Sequence, residues 1–88
     1  KIFPIIQLKK RINEYPSTSI IVNASNEILV DQFLQKKIPF LSINKIIMTI
    51  LGDRNYKKYA IRSPKNINEI YEIDTWARRT TLNKINYE

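Results

Sequence analysis

Apolar residues recur at helical spacing in four stretches of the chain. In the first, from Pro4 to about Tyr15, the residues Ile5, Leu8, Ile12 and Tyr15 fall on one face. Pro4 suits a first helical turn, where its missing N–H costs nothing. Pro16 ends the pattern, because the residue before a proline avoids the helical region. Ser17-Thr18-Ser19 reads as a loop. The β-branched Ile20-Ile21-Val22 fits either an extended segment or the entry to the next helix. The second pattern is expected to start near Asn23, a good N-cap, and to run to about Lys37, with Pro39 as its stop. Its stripe is Asn23, Asn26, Glu27, Val30, Phe33 and Leu34, in steps of three and four.

The third pattern follows Ser42, the expected cap. Ile43, Ile46, Ile47, Ile50 and Leu51 repeat at i, i+3, i+4, i+7 and i+8, and Gly52 stands where a left-handed residue often closes a helix. Residues 53–65 read as a polar loop holding Tyr56 and Tyr59. A strand through Tyr59-Ala60-Ile61 would lack an obvious partner. The fourth helix is expected at Asn66, with Glu69 three residues on as a variant capping box. Its stripe is Ile67, Ile70, Tyr71, Asp74, Ala77, Arg78, Thr81, Leu82 and Ile85. Residues 1–88 therefore predict one all-α unit, a small four-helix bundle-like domain without internal repeats.

Composition narrows the chemistry. Without cysteine or histidine the chain lacks disulfides, thiolates, the commonest general base and the commonest metal ligand. Its single glycine, Gly52, excludes a glycine-rich phosphate loop. No apolar run reaches the length of a membrane span. The net charge of +7 suits an anionic partner such as nucleic acid. However, the basic residues are dispersed, as in Lys9-Lys10-Arg11, Lys36-Lys37, Lys57-Lys58 and Arg78-Arg79, and no block reaches five like charges. Heavy use of Ile, Asn and Lys is also what an A/T-rich coding bias produces.

Two places put polar groups on apolar stripes. Asn23, Asn26 and Glu27 continue the Val30–Phe33–Leu34 stripe. They act either as simple helix-start groups or, if that face is buried, as groups that need partners. Asp74 lies within the fourth stripe with Arg78 one turn on. It can pair within its helix or reach a neighbouring element. Trp76 is expected on the opposite, polar side of that helix, so an exposed tryptophan would point to contact with something outside the domain.

These stretches resemble the C-terminal part of the 1-deoxy-D-xylulose-5-phosphate reductoisomerase family. Asn23-Ala24-Ser25-Asn26-Glu27, followed by Ile28 to Leu34, is similar to the family's Asn-Ala-Ala-Asn-Glu stretch. Lys37-Ile38-Pro39-Phe40 is similar to its basic–Ile–x–Phe turn. Asp74-Thr75-Trp76-Ala77-Arg78 is similar to its closing Asp-x-Trp-Ala-Arg helix, and Phe3-Pro4 to its opening aromatic–Pro pair. There are departures. Ser25 replaces the usual second alanine, Gln35 and Lys36 stand where a glycine is common, and the loop from Asp53 to Lys65 has no clear counterpart.

The resemblance implies the C-terminal domain of a larger multidomain α/β enzyme; the start at Lys1 also reads as a piece of something longer. That enzyme would use NADPH and Mg²⁺ or Mn²⁺ to turn 1-deoxy-D-xylulose 5-phosphate into 2-C-methyl-D-erythritol 4-phosphate in non-mevalonate isoprenoid synthesis. The implied setting is a homodimer in a bacterial cytoplasm or a plastid stroma, with no membrane partner. The NADPH-binding and catalytic domains would lie outside these residues, so no catalytic, metal or cofactor residue is carried over to this chain. Asn23, Asn26, Glu27, Asp74, Trp76 and Arg78 are the candidate interdomain support residues. The alternative is a free-standing basic helical module that binds nucleic acid or a protein partner. Salt-sensitive DNA affinity, or a specific foreign protein partner, would mark it.

Overall fold

The computed structural model describes residues 15–86 and is all-helical over them. Four helices follow in order: α1 Thr18–Leu34, α2 Leu41–Leu51, α3 Tyr56–Ala60 and α4 Ile67–Ile85. α1 and α4 pack along each other, and α2 closes the bundle against both. The first expected helix and the Phe3-Pro4 pair lie outside the described residues. Of that stripe only Tyr15 is described, half-buried with its ring edge against Tyr56 at 6.0 Å between centroids.

α1 starts five residues before Asn23, and the reason lies in what holds its first turn. The Ser17 N–H donates to the Ala60 carbonyl at 2.9 Å, and the Ser17 hydroxyl donates to the Arg62 carbonyl. The Thr18 and Tyr56 hydroxyls share a buried hydrogen bond of 2.6 Å. Pinned at that point, Ile20-Ile21-Val22 enters the helix and Ile21 becomes fully buried. Asn23 is an interior residue of the helix, not its cap. The buried face is Thr18, Ile21, Ala24, Ser25 and Leu29; of the expected stripe, Asn23, Asn26, Glu27 and Leu34 are exposed, and Val30 and Phe33 are partly buried against the core.

α1 ends at Leu34 in a Schellman arrangement. The Lys36 N–H donates to the Phe33 carbonyl and the Lys37 N–H to the Gln32 carbonyl, each at 2.9 Å. This closure requires a left-handed residue, and Lys36 supplies it with φ 62°. Lys36 thus occupies the stretch where the resembling family commonly has glycine.

In α2 the expected stripe is the observed one: Ile43, Ile46, Ile47, Ile50 and Leu51 are all buried. The ends differ. Phe40, not Ser42, takes the cap position, and Ser42 is buried within the first turn. Gly52 closes the helix at φ −96°, a conformation open to any residue, so it does not fill the left-handed role expected of it.

The expected polar loop contains α3, which excludes the strand through Tyr59-Ala60-Ile61. Tyr56 and Ala60, one turn apart, are both buried. Asp53 shapes the approach, accepting from the Asn55 N–H at 2.9 Å through its carboxylate and from the Tyr56 N–H at 3.0 Å through its carbonyl. Its other carboxylate oxygen meets the Lys84 ammonium at 2.9 Å, which ties the loop to the last turn of α4.

The start of α4 is as expected: the Asn66 side chain accepts from the Glu69 N–H at 2.9 Å. Glu69 reaches back to the Lys65 N–H at 3.3 Å, one residue before the usual capping-box partner. The buried face is Ile73, Trp76, Ala77, Thr80 and Thr81. Only Ala77 and Thr81 of the expected stripe belong to it, whereas Ile67, Ile70, Tyr71 and Leu82 are exposed. Trp76 decides the rotation. It offers the largest apolar surface in the helix, and its burial outweighs that of the smaller aliphatic residues on the other side.

Candidate functional site

Two of the stretches singled out in the sequence meet in space at Arg78. Its Nε donates to Asp74 Oδ2 at 2.8 Å, one turn back in α4. Its Nη2 donates to Glu27 Oε1 at 3.1 Å, across the groove to α1. Asp74 therefore pairs within its own helix, and Arg78 makes the link to the neighbouring element. Hydrogen bonding to Asp74 first, then to Glu27, outweighs partial burial and holds the guanidinium charged even more firmly than usual. The two carboxylates both accept from this one cation. The joint is an ion-paired link between α1 and α4.

Asn23 and Asn26 sit on the same outer side of α1 and are exposed. Their side-chain amides make no hydrogen bond among the described residues. Glu27 is 69% exposed at its side chain, and Arg78 and Asp74 are about one-third exposed. Ile70 and Tyr71, one turn before Asp74 on α4, are also exposed. Glu27, Asp74 and Arg78 thus meet between α1 and α4, and Asn23 and Asn26 are exposed on α1.

Trp76 departs from expectation. It is 9% exposed, and its ring stacks on Tyr59 with centroids 4.8 Å apart and planes 13° from parallel. Its first role is to bind α4 to the α3 region. The Arg62 guanidinium lies 4.9 Å from the Tyr59 ring centroid and 3.8 Å from the Glu72 carboxylate. Tyr59, Arg62 and the Asp53–Lys84 clip were not singled out in the sequence. Their one signal there was a pair of aromatic residues in a stretch otherwise read as loop.

Among the described residues, no group of three or more Asp or Glu side chains could hold a metal ion, so they do not fit a divalent-metal site. No helix among them is long and apolar enough to cross a membrane.

Residues 1–80 match the family described as DXP reductoisomerase C-terminal domain. The chain is similar to curated proteins named 1-deoxy-D-xylulose 5-phosphate reductoisomerase. The relative from Campylobacter hominis is 35% identical over 78 residues, covering 89% of this chain and 20% of its own length. The one from Francisella tularensis subsp. novicida is 38% identical over 66 residues, 75% of this chain and 16% of its own length. The one from Acetivibrio thermocellus is 37% identical over 59 residues, 67% of this chain and 14% of its own length. The chain thus spans a fifth or less of the length of these relatives. No solved structure matches it.

Proposed function

This chain belongs to the DXP reductoisomerase family, matching its C-terminal domain, and from that premise we propose that it is the support domain of a complete reductoisomerase. The parent enzyme converts 1-deoxy-D-xylulose 5-phosphate into 2-C-methyl-D-erythritol 4-phosphate, as a homodimer in a bacterial cytoplasm or plastid stroma. NADPH supplies the hydride and Mg²⁺ or Mn²⁺ the Lewis acid, and both sit in the NADPH-binding and catalytic domains of the same polypeptide. The role of this chain is to hold those domains in place, because a displacement of about 1 Å at a reacting centre can cost about a hundredfold in rate.

The observation that carries the reading is the joint at Arg78. It links the Asn23–Glu27 stretch of α1 to the Asp74–Arg78 stretch of α4, fixing the two helices that carry the family-like residues. Beside it, Asn23 and Asn26 hold out amides that make no hydrogen bond among the described residues, and Ile70 holds out apolar surface. An outer face with both polar and apolar groups left open suits contact with a neighbouring domain. The test is NADPH oxidation by the intact polypeptide that carries these residues, given the sugar phosphate and Mg²⁺. Turnover that depends on both substrates supports the reading, and no turnover by the folded polypeptide contradicts it.

A further inference from the structure

On another side of α4 lies a cleft that the Arg78 joint does not use. Its volume is about 240 Å³, and Tyr59, Arg62, Tyr71, Glu72, Trp76 and Arg79 line it. That is below the ~300–1,000 Å³ of usual small-molecule pockets, and it matches a side chain or two of a bound segment. Arg79 is exposed and makes no ion pair among the described residues. The Trp76 indole N–H makes no hydrogen bond there either. Glu72 is the one carboxylate lining the cleft, alongside the guanidiniums of Arg62 and Arg79, and it is already within 3.8 Å of Arg62.

Two features separate the candidate ligands. Stacked nucleobases need successive open aromatic faces, but Trp76 stacks on Tyr59 and Arg62 lies over the same ring at 4.9 Å, which leaves Tyr71 as the one open ring of the cleft. A run of phosphates would also have to pass Glu72. A single carboxylate avoids Glu72 and matches the fork of a free guanidinium. Tyr71, 69% exposed, offers the apolar bed beside it. The chain's net charge of +7 favours an acidic partner over a basic one.

We propose that this cleft docks an acidic peptide segment of another protein domain, with its carboxylate on Arg79 and the Trp76 N–H and a neighbouring apolar side chain on Tyr71. The proposal rests on the cleft alone and does not depend on the reductoisomerase reading.

Trp76 is the chain's only tryptophan, so its emission reports this cleft directly. The probe is a blocked tetrapeptide, acetyl-Asp-Leu-Glu-Leu-amide, titrated against its Asn/Gln counterpart. The acidic peptide is expected to give a saturable change. The amide peptide is expected to bind about tenfold or more weakly, as is the acidic peptide to Arg79→Gln, since a charge-assisted hydrogen bond is lost in each. Arg79→Lys should fall between, and Lys36→Gly, remote from the cleft, should bind as the unsubstituted chain does. Equal affinity for the two peptides overturns the proposal, as does no saturable change up to about 1 mM, the weak end of specific binding. Tighter binding of a single-stranded oligonucleotide than of the acidic peptide also overturns it.

Discussion

Glu27 and Arg78 are 51 residues apart in the chain and 3.1 Å apart in the fold. Arg78 is at the same time 2.8 Å from Asp74. One guanidinium thus gathers two carboxylates from two helices. The geometry differs between its arms. The Asp74 arm lies within one helix and is about one-third exposed, whereas Glu27 is mostly in solvent.

Solvent screening sets the size of each arm. A double-mutant cycle on Asp74→Asn and Arg78→Ala is expected to give a coupling of about 0.5–1 kcal/mol. The cycle on Glu27→Gln and Arg78→Ala should give less, about 0.2–0.5 kcal/mol, and should fade in high salt. Urea melts of the four proteins in each cycle measure both. Zero coupling in the Asp74 cycle would remove the intrahelical pair from the account.

Ser25 is 1% exposed, and its hydroxyl has no hydrogen-bond partner among the described residues. It is also where the chain departs from the family-like alanine. Ser25→Ala removes a buried orphan without opening a large cavity, so it should stabilise the domain by about 1 kcal/mol. For a domain of this size, that raises Tm by roughly 4–8 °C. An unchanged or lower Tm would mean that the hydroxyl is satisfied.

Lys36 and Gly52 each hold the conformation that suits the other. Lys36 sits at φ 62° and Gly52 at φ −96°. Lys36→Gly should relieve left-handed strain and stabilise by about 1 kcal/mol, while Lys36→Ala should not. At Gly52 an added Cβ would meet the carbonyl oxygens of Met48 and Thr49 at 3.6 and 3.7 Å, ordinary contact distances. Gly52→Ala should therefore be tolerated or stabilise by about 0.4–1 kcal/mol, through the unfolded chain's lost freedom. Thermal melts showing destabilisation by both changes would refute this reading of the two turns.

The Asp53–Lys84 clip makes stability depend on pH. Burial alone would raise the Asp53 carboxyl, but the Asn55 N–H, the Lys84 ammonium and the charge of Arg54 together outweigh it and hold it below its ordinary value. The folded state therefore binds this proton less readily than the unfolded chain. Its stabilisation is complete above the unfolded value of about 3.9 and is lost as pH falls through the lower folded value. Asp53→Asn should cost about 1 kcal/mol at pH 7 and progressively less below about pH 4. A cost that stays the same in acid as at neutral pH would show that the charge is not its source.

The sequence was most legible where one apolar face had no rival. α2 carries a single set of isoleucines at clean spacing, and all of them are buried. The Asn66–Glu69 start of α4 was likewise readable, because capping is local. α1 and α4 each carry two candidate faces, and spacing alone cannot choose between them. Contacts distant in sequence made the choice: Thr18 to Tyr56 for α1 and Trp76 to Tyr59 for α4. α3 was missed because a five-residue helix shows barely one turn of pattern. For the candidate site, pairing of Asp74 with Arg78 followed from their spacing. The reach from Arg78 to Glu27 did not, since it depends on how α1 and α4 pack.

The central claim is that the outer face of α1 beside Arg78 braces the rest of the enzyme, and Asn26 tests it most cleanly. Asn26 is exposed in this domain, so alanine there should leave the domain's own stability unchanged or raise it slightly through helix propensity. The measurement is turnover and melting of the intact parent enzyme carrying Asn26→Ala, alongside the melt of this chain with the same change. The account predicts a lower kcat or Tm in the parent and none of that loss in the isolated chain. Unchanged turnover and melting in the parent would contradict it.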